Sequence, residues 1–218
     1  MAIQQVEVQG TPTRRDVAEF AWSLFDRTAA TLGVLFLLPA LAIIAIAVRL
    51  TSNGPALFRQ TRIGQYGAPF TIYKFRTMHV DAEEKLLALM AEHGIDPSQS
   101  YWKFDPDPRV TRLGRLLRRT SLDELPQLFN VMRGDMRLVG PRPHLPEQVS
   151  GYASPQQWRR LLVKPGITGL WQVSGRSDLD AEAAHELDER YVREWTGTMD
   201  ARVLARTALV VVTQRGAC

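Results

Sequence analysis

Residues 29–48 read AATLGVLFLLPALAIIAIAV, an apolar segment with Pro39 near its centre. About 20 apolar residues are needed for a helix to cross the hydrocarbon core of a bilayer. Because proline removes one helical hydrogen bond and its ring clashes with the preceding turn, we predict a break in this helix at Leu38 and Pro39. The fold depends on this segment, since the remaining chain must be arranged around one membrane helix.

Positive charge on both sides of the segment indicates how it meets the membrane. Three arginines precede it and five cations follow within residues 49–76. Short cytoplasmic flanks carry an excess of lysine and arginine, so a helix that enters and leaves on one face fits better than a crossing helix. We therefore predict a membrane-dipping re-entrant helix over residues 14–50, at the cytoplasmic face of the inner membrane. A simple span, a signal sequence and a buried helix of a soluble protein are the alternatives.

The remaining chain predicts an α+β, helix-dominated fold. Residues 1–13 form a loose tail, and residues 51–218 form a domain on the cytoplasmic face of the membrane. Residues 56–63 and 69–75 alternate as two short strands do, around a glycine-rich turn, which predicts a β-hairpin. Helices are predicted over residues 81–93 and 109–119. Tryptophan, leucine and cations at residues 157–164 are typical of an interfacial amphipathic helix.

Composition excludes several kinds of site. Cys218 is the only cysteine, so neither an intrachain disulfide nor a cysteine metal cage can form. The four histidines lack metal-ligand spacing, so any metal must be held by oxygen ligands. The net charge is only +4, but arginines cluster in residues 109–119, which suits an anionic lipid or a phosphorylated substrate. No zinc-finger or RNA-binding signature is present, so we expect no nucleic-acid partner.

An adjacent acid pair, Asp123 and Glu124, lies between two groups of arginines in residues 120–143, TSLDELPQLFNVMRGDMRLVGPRP. Carboxylates beside arginines indicate phosphate chemistry helped by a metal. Ser121 and Glu124 also have the spacing of a capping box, which would give the pair a purely structural role. The two interpretations are compatible, because the positive end of a helix keeps a carboxylate ionised and attracts phosphate.

Cations on rigid segments are the candidate phosphate ligands. Two prolines flank Arg142 in residues 140–143 and stiffen a loop that presents it. The planar fork of arginine suits a phosphate group. Arg62, Lys74 and Arg76 on the hairpin are further candidates, although exposed cations on a hairpin are common. A second, glycine-rich loop is predicted over residues 164–176, which ends at Arg176.

Several motifs follow one another in order from about Asp26 to Ala217. They are Phe25-Asp26, Gly54-Pro55 with Phe58-Arg59-Gln60, Arg62 and Gly64, Tyr73-Lys74-Phe75-Arg76-Thr77-Met78, residues 107–114, residues 120–143, and residues 165–176. Together they resemble the bacterial sugar transferase family, the monotopic phosphoglycosyl transferases that begin lipid-linked glycan assembly. The resemblance implies that residues 51–218 form a catalytic domain, and that the chain is the catalytic core without the additional apolar spans of longer members.

The resemblance also implies a reaction. A hexose-1-phosphate would pass from a UDP-hexose to polyprenyl (undecaprenyl) phosphate in exopolysaccharide biosynthesis, with release of UMP. Asp123 would be the nucleophile that carries the phosphosugar, and Glu124, with Asp123 beside it, would hold Mg²⁺. Arg142 and Lys74 would stabilise the transferred phosphoryl group.

Other family positions are less defined. Arg176 would lie near the nucleotide, whereas Asp188 and Tyr191 match an acid–tyrosine element to which no role is assigned. The family often has Ser-Pro where this chain has Leu38-Pro39, and leucine cannot satisfy a freed carbonyl. Glucose and galactose are the expected donor sugars, and a homo-oligomer is compatible with the sequence. A metal-dependent phosphohydrolase of lipid or nucleotide diphosphates, and a non-catalytic membrane scaffold, are the alternative functions.

Overall fold

The computed structural model describes residues 14–94, 107–175 and 180–213, so the predicted tail 1–13 lies outside the described residues. Helices dominate, as predicted, and two short sheets lie among them. The α-helices are α1 (Arg14–Thr51), α2 (Ala82–Glu92), α3 (Arg112–Arg119), α4 (Leu128–Arg133), α5 (Pro146–Ser150), α6 (Pro155–Arg159), α7 (Leu170–Ser174), α8 (Ala181–Glu194) and α9 (Gly197–Thr213). The strands are β1 (Leu57–Ile63), β2 (Pro69–Phe75), β3 (Arg137–Val139) and β4 (Gly166–Thr168).

Helix α1 is one uninterrupted α-helix that contains Pro39. The predicted break at Leu38 and Pro39 does not interrupt the helix, which covers residues 14–50 and extends one residue further. Among the described residues, α1 is the one helix long and apolar enough to cross a membrane, and only 17% of its most apolar window is buried. Re-entry into the membrane stays a prediction.

One stripe of α1 packs against the rest of the chain on both sides of Pro39. Ala30 contacts a core cluster that contains Ile72 and Val131. Further along, Leu41 and Val48 lie in a second cluster with residues of β2 and α3. The stripe repeats every three or four residues, as one face of a helix does. Large apolar side chains cover much of the remaining surface of α1 and are exposed: Val17, Phe20, Leu24, Phe25, Leu32, Leu35, Phe36, Leu38, Ile43, Ile46 and Leu50.

The predicted β-hairpin is confirmed. β1 and β2 pair in antiparallel register from Leu57 opposite Phe75 to Ile63 opposite Pro69. Tyr66 and Gly67 adopt positive φ angles of 56° and 80° in the connecting turn. Ile72 and Phe75 of β2 are buried against the α1 stripe, so the hairpin is fixed on α1.

The second sheet was not predicted. β3 pairs in parallel with β4, and residues 164–176, predicted as a loop, instead contain β4 and α7. Strands of three residues are too short to show an alternating pattern, which explains the error. A Cβ on Gly166 would collide with the backbone nitrogen of Gly140, so the close approach of the strands requires glycine here.

Buried ion pairs join α1 to this second sheet. Arg137 of β3 donates from Nε to Asp26 of α1 at 2.8 Å and from Nη2 to Asp200 of α9 at 3.0 Å. The Trp195 indole nitrogen also donates to Asp200, at 3.0 Å, and the Tyr191 hydroxyl lies 2.8 Å from the same carboxylate. Tyr191 therefore belongs to a structural network that anchors the N-terminal part of α1.

Candidate active site

Asp123 and Glu124 lie in a short 3-10 helix, Leu122–Gln127, between α3 and α4. The predicted capping box is wrong. Ser121 has φ 56° and its side chain makes no cap hydrogen bond, because a capping residue needs an extended backbone and Ser121 is left-handed. The Glu124 carboxylate reaches instead to a lysine on β2, so capping does not explain the acid pair.

Glu124 is held by two cations from different parts of the fold. Lys74 Nζ lies 2.7 Å from Glu124 Oε1, and Arg142 Nη1 lies 3.4 Å from the same oxygen. Burial lowers the pKa of Lys74, and attraction to Glu124 opposes that shift. The structure therefore brings together Asp123, Glu124, Lys74 and Arg142, four of the residues that the sequence singled out.

Lys74 is positioned by a buried asparagine that sequence reasoning missed. Asn130 of α4 donates to the Thr71 carbonyl at 2.6 Å and accepts from the Tyr73 amide at 3.2 Å, and it is fully buried. These bonds fix β2 beside the acid pair. No periodic pattern distinguishes Asn130, so its role emerges only from the tertiary structure.

Asp123 is a buried carboxylate, 8% exposed. Burial, followed by repulsion from Glu124, raises its pKa to about 6, whereas Lys74, Arg118 and Arg142 act in the opposite direction. Burial, and not the expected effect of a helix terminus, therefore governs the pKa of this group. Above pH 6 the side chain is still mostly ionised, and the carboxylate is poorly solvated.

Arg118 is a site residue that the sequence did not single out. It belongs to the arginine cluster of residues 109–119, in which Arg112, Arg115 and Arg119 are exposed. Arg118 is instead partly buried, donates from Nε to Thr77 Oγ1 at 2.9 Å and lowers the pKa of Asp123. Its position next to the Thr120–Pro143 motif is the sequence feature that could have identified it as a site residue.

The predicted loop that presents Arg142 is confirmed at residues 140–143. Arg62, predicted to bind phosphate, donates from Nη1 to the Pro143 carbonyl at 3.1 Å and thus supports this loop. Arg76 donates from Nε to the Pro55 carbonyl at 2.9 Å. Phosphate binding by these two arginines stays a prediction. Arg176 lies outside the described residues.

The acid pair is compatible with Mg²⁺. Among the described residues, no group of three or more histidine, cysteine, aspartate or glutamate side chains could form a metal cage. Mg²⁺ is often held by one or two carboxylates that share it with substrate phosphates and water. Asp123 and Glu124 supply that donor set, so the chemistry of the residues fits a metal that a diphosphate substrate helps to bind.

Several known proteins are similar in sequence to this chain. The chain is 45% identical over 169 residues to the undecaprenyl-phosphate galactose phosphotransferase of Salmonella typhimurium, covering 76% of this chain and 35% of the relative. It is 41% identical over 195 residues to the UDP-glucose:undecaprenyl-phosphate glucose-1-phosphate transferase of Escherichia coli, covering 84% of this chain and 38% of the relative. The chain thus spans little more than a third of the length of these two relatives.

A relative of similar length also matches. The uncharacterized sugar transferase EpsL of Bacillus subtilis is 41% identical over 198 residues, which cover 88% of each chain. The model of the family described as bacterial sugar transferase matches residues 17–214, which include most of α1, the acid pair and the Arg142 loop. The chain therefore belongs to the bacterial sugar transferase family.

Proposed function

We propose that this protein transfers a hexose-1-phosphate from a UDP-hexose to polyprenyl phosphate, the first membrane step of glycan assembly. The observation that carries the proposal is the buried Asp123 carboxylate surrounded by Lys74, Arg118 and Arg142. The names of the relatives, which include undecaprenyl phosphate with galactose or glucose, support the choice of substrates.

The proposed reaction has two steps. An Asp123 carboxylate oxygen attacks the sugar-bearing phosphorus of the UDP-hexose, and the bond from that phosphorus to the bridging oxygen breaks. UMP leaves with the bridging oxygen and its electron pair, and the hexose phosphate is now on Asp123. A phosphate oxygen of the polyprenyl phosphate then attacks the same phosphorus, which releases the carboxylate and forms the lipid diphosphosugar.

Side-chain cations and a metal ion both stabilise negative charge in this proposal. Arg142 and Lys74 stabilise charge on the transferred phosphoryl group, since both already converge on Glu124 Oε1. Asp123 and Glu124 would hold Mg²⁺, which supplies neutralisation of the diphosphate charge when bound. Removing Mg²⁺ with a chelator is therefore expected to stop UMP release.

Requirement for a lipid acceptor separates transfer from hydrolysis. With a panel of radiolabelled UDP-hexoses, transfer gives sustained UMP release only when polyprenyl phosphate is present, and the label moves to the lipid. A phosphohydrolase would sustain UMP release with water alone. A non-catalytic scaffold would preserve glycan output in cells after both Asp123 and Glu124 are changed.

The raised pKa of Asp123 predicts an acid limb in the pH profile. The attacking species is the carboxylate, so kcat/KM for the first step should be constant well above pH 6 and fall about tenfold per pH unit below it. We would measure single-turnover UMP release without acceptor, because the acceptor phosphate itself titrates near pH 6. A flat profile from pH 5 to pH 8 would contradict the assignment.

We also propose that α1 re-enters the cytoplasmic face of the inner membrane. Ala30 and Val48, on opposite sides of Pro39, both pack on the same globular part of the chain. A helix that left this domain to cross the bilayer would lose one of these contacts. The exposed apolar side chains of α1 would then lie in lipid.

Cysteine labelling tests this topology. In a Cys218→Ser background, Val17→Cys and Asn53→Cys flank the apolar segment, and Tyr66→Cys marks the exposed hairpin turn. A membrane-impermeant maleimide is expected to label all three only after the inner membrane is opened. Labelling of the first two positions from opposite sides would show a crossing helix.

A further inference from the structure

A buried ion pair lies behind the Arg142 loop and has no part in the proposed chemistry. Arg160 Nη2 lies 2.6 Å from Asp188 Oδ2, and the two side chains are 5% and 4% exposed. The neighbouring pair, Arg159 with Glu189, joins the same two segments at the surface. Burying two charges is costly unless further bonds satisfy them, so the remaining contacts of Arg160 show what the pair supports.

Those contacts lead directly to the Arg142 loop. Arg160 Nη2 donates to the backbone carbonyl of Arg142 at 2.8 Å, and Nη1 lies 2.7 Å from His144 Nε2. Arg62 Nη1 holds the Pro143 carbonyl, and the Ile63 amide donates to the His144 carbonyl at 3.0 Å. Three consecutive carbonyls of the loop are therefore held from outside.

The loop depends on such outside support because of its composition. Pro141 and Pro143 have no backbone N–H group, so they cannot donate hydrogen bonds that would close a turn. A planar guanidinium can satisfy a carboxylate, a carbonyl and a ring nitrogen at once, whereas a single ammonium cannot reproduce that fork.

His144 completes the support as a neutral ring. Burial and nearby arginines, first among them Arg160, lower its pKa to about 2. The neutral ring accepts from Arg160, whose Nη1 lies 2.7 Å from Nε2 and 3.2 Å from Nδ1, and Nδ1 also lies 2.8 Å from the Tyr152 hydroxyl. A neutral ring leaves no cation–cation conflict beside Arg160.

We propose that Asp188 and Arg160 form a positioning pair, which fixes the backbone of Arg142 so that its guanidinium points at Glu124 and the transferred phosphoryl group. Asp188 orients Arg160, Arg160 holds the Arg142 carbonyl, and the Arg142 side chain then reaches Glu124 Oε1. This inference rests on the proposed function. It assigns a role to Asp188, the acid of the acid–tyrosine element.

Arg160→Lys tests the pair while keeping its charge. We expect kcat/KM for UDP-hexose to fall about 10- to 100-fold, because a displacement of catalytic groups by about 1 Å costs this much. Arg159→Lys is the matched control, since it is adjacent in sequence and pairs at the surface with Glu189. It is expected to change kcat/KM by less than about twofold. Equal effects of the two substitutions would overturn the proposal.

A double-mutant cycle separates positioning from a general structural effect. In an Arg142→Ala background, Arg160→Lys is expected to reduce kcat/KM by less than about twofold further, because the residue it positions is gone. Two fully additive losses would show that Arg160 does not act through Arg142. Asp188→Asn is a second probe and is expected to reproduce the Arg160→Lys loss, but it leaves Arg160 without its counter-ion and destabilises the fold more.

Hydrogen exchange gives a readout that does not need turnover. The Gly140 amide donates to the Thr168 carbonyl, and the Leu145 amide donates to Gln148 Oε1, so both report on the ends of the loop. Arg160→Lys is expected to speed exchange in residues 140–145 by at least about tenfold, and Arg159→Lys is not. Unchanged exchange in Arg160→Lys would overturn the positioning role, whether or not the unmodified protein transfers hexose phosphate. Failure of transfer in the unmodified protein would count against the proposed function alone.

Discussion

Asp123→Asn is expected to reduce hexose-1-phosphate transfer by at least about 10³-fold, as removal of a nucleophile does in other enzymes. The amide has nearly the shape of the carboxylate but cannot form the phosphosugar intermediate. In a wild-type protein quenched without acceptor, mass spectrometry should find the added hexose phosphate on Asp123. An adduct on another side chain, or retained turnover in the variant, would remove Asp123 from the role of nucleophile.

The same substitution should not destabilise the protein. Burial raises the pKa of Asp123 to about 6, so the native state above that pH contains a carboxylate that would be better solvated in the unfolded chain. Asparagine removes this cost, and we expect the free energy of unfolding at pH 8 to rise by about 1–3 kcal/mol. The gain should shrink as the pH falls from 6 towards 4, because the native side chain is then already protonated.

Denaturant titrations in detergent at pH 8 and pH 4 would measure the two free energies of unfolding. Asp81→Asn is the control, because Asp81 pairs with Lys85 at the surface and lies outside the site. It is expected to change neither transfer nor unfolding measurably. A loss of stability in Asp123→Asn at pH 8 would indicate that the carboxylate has a structural role.

Arg137→Met is expected to lower the free energy of unfolding by about 3–5 kcal/mol, the range found when one partner of a buried ion pair is removed. Arg137 lies between Asp26 and Asp200, at 2.8 Å and 3.0 Å. Its loss leaves two buried carboxylates facing each other without a cation. Since Asp26 belongs to α1, the N-terminal part of α1 should lose its attachment first.

Thermal unfolding in detergent, combined with hydrogen exchange over residues 22–30, measures both effects. Arg193→Met is the control because Arg193 pairs with Glu194 on the exposed surface of α8. We expect no measurable change in that variant. Equal stability of Arg137→Met and the control would show that the ion pairs of Arg137 do not hold α1 on the second sheet.

Much of the local structure was predictable because it depends on short-range patterns. The alternation and glycine turn of residues 56–75 identified the hairpin, and the apolar run identified α1. β3 and β4 escaped prediction because their pairing depends on contacts between distant segments, at a place where glycine allows two backbones to meet. The capping box failed because Ser121 takes a left-handed conformation that spacing alone does not reveal.

Composition and ordered motifs were enough to predict the long apolar helix, the hairpin and the candidate site residues. Tertiary structure decided how the site residues interact. It brings Lys74 and Arg142 onto Glu124, buries Asp123, and places Arg118 close enough to Asp123 to lower its pKa. Burial and charge proximity arise only when distant segments pack together, and these two quantities set the pKa of a carboxylate and the orientation of an arginine.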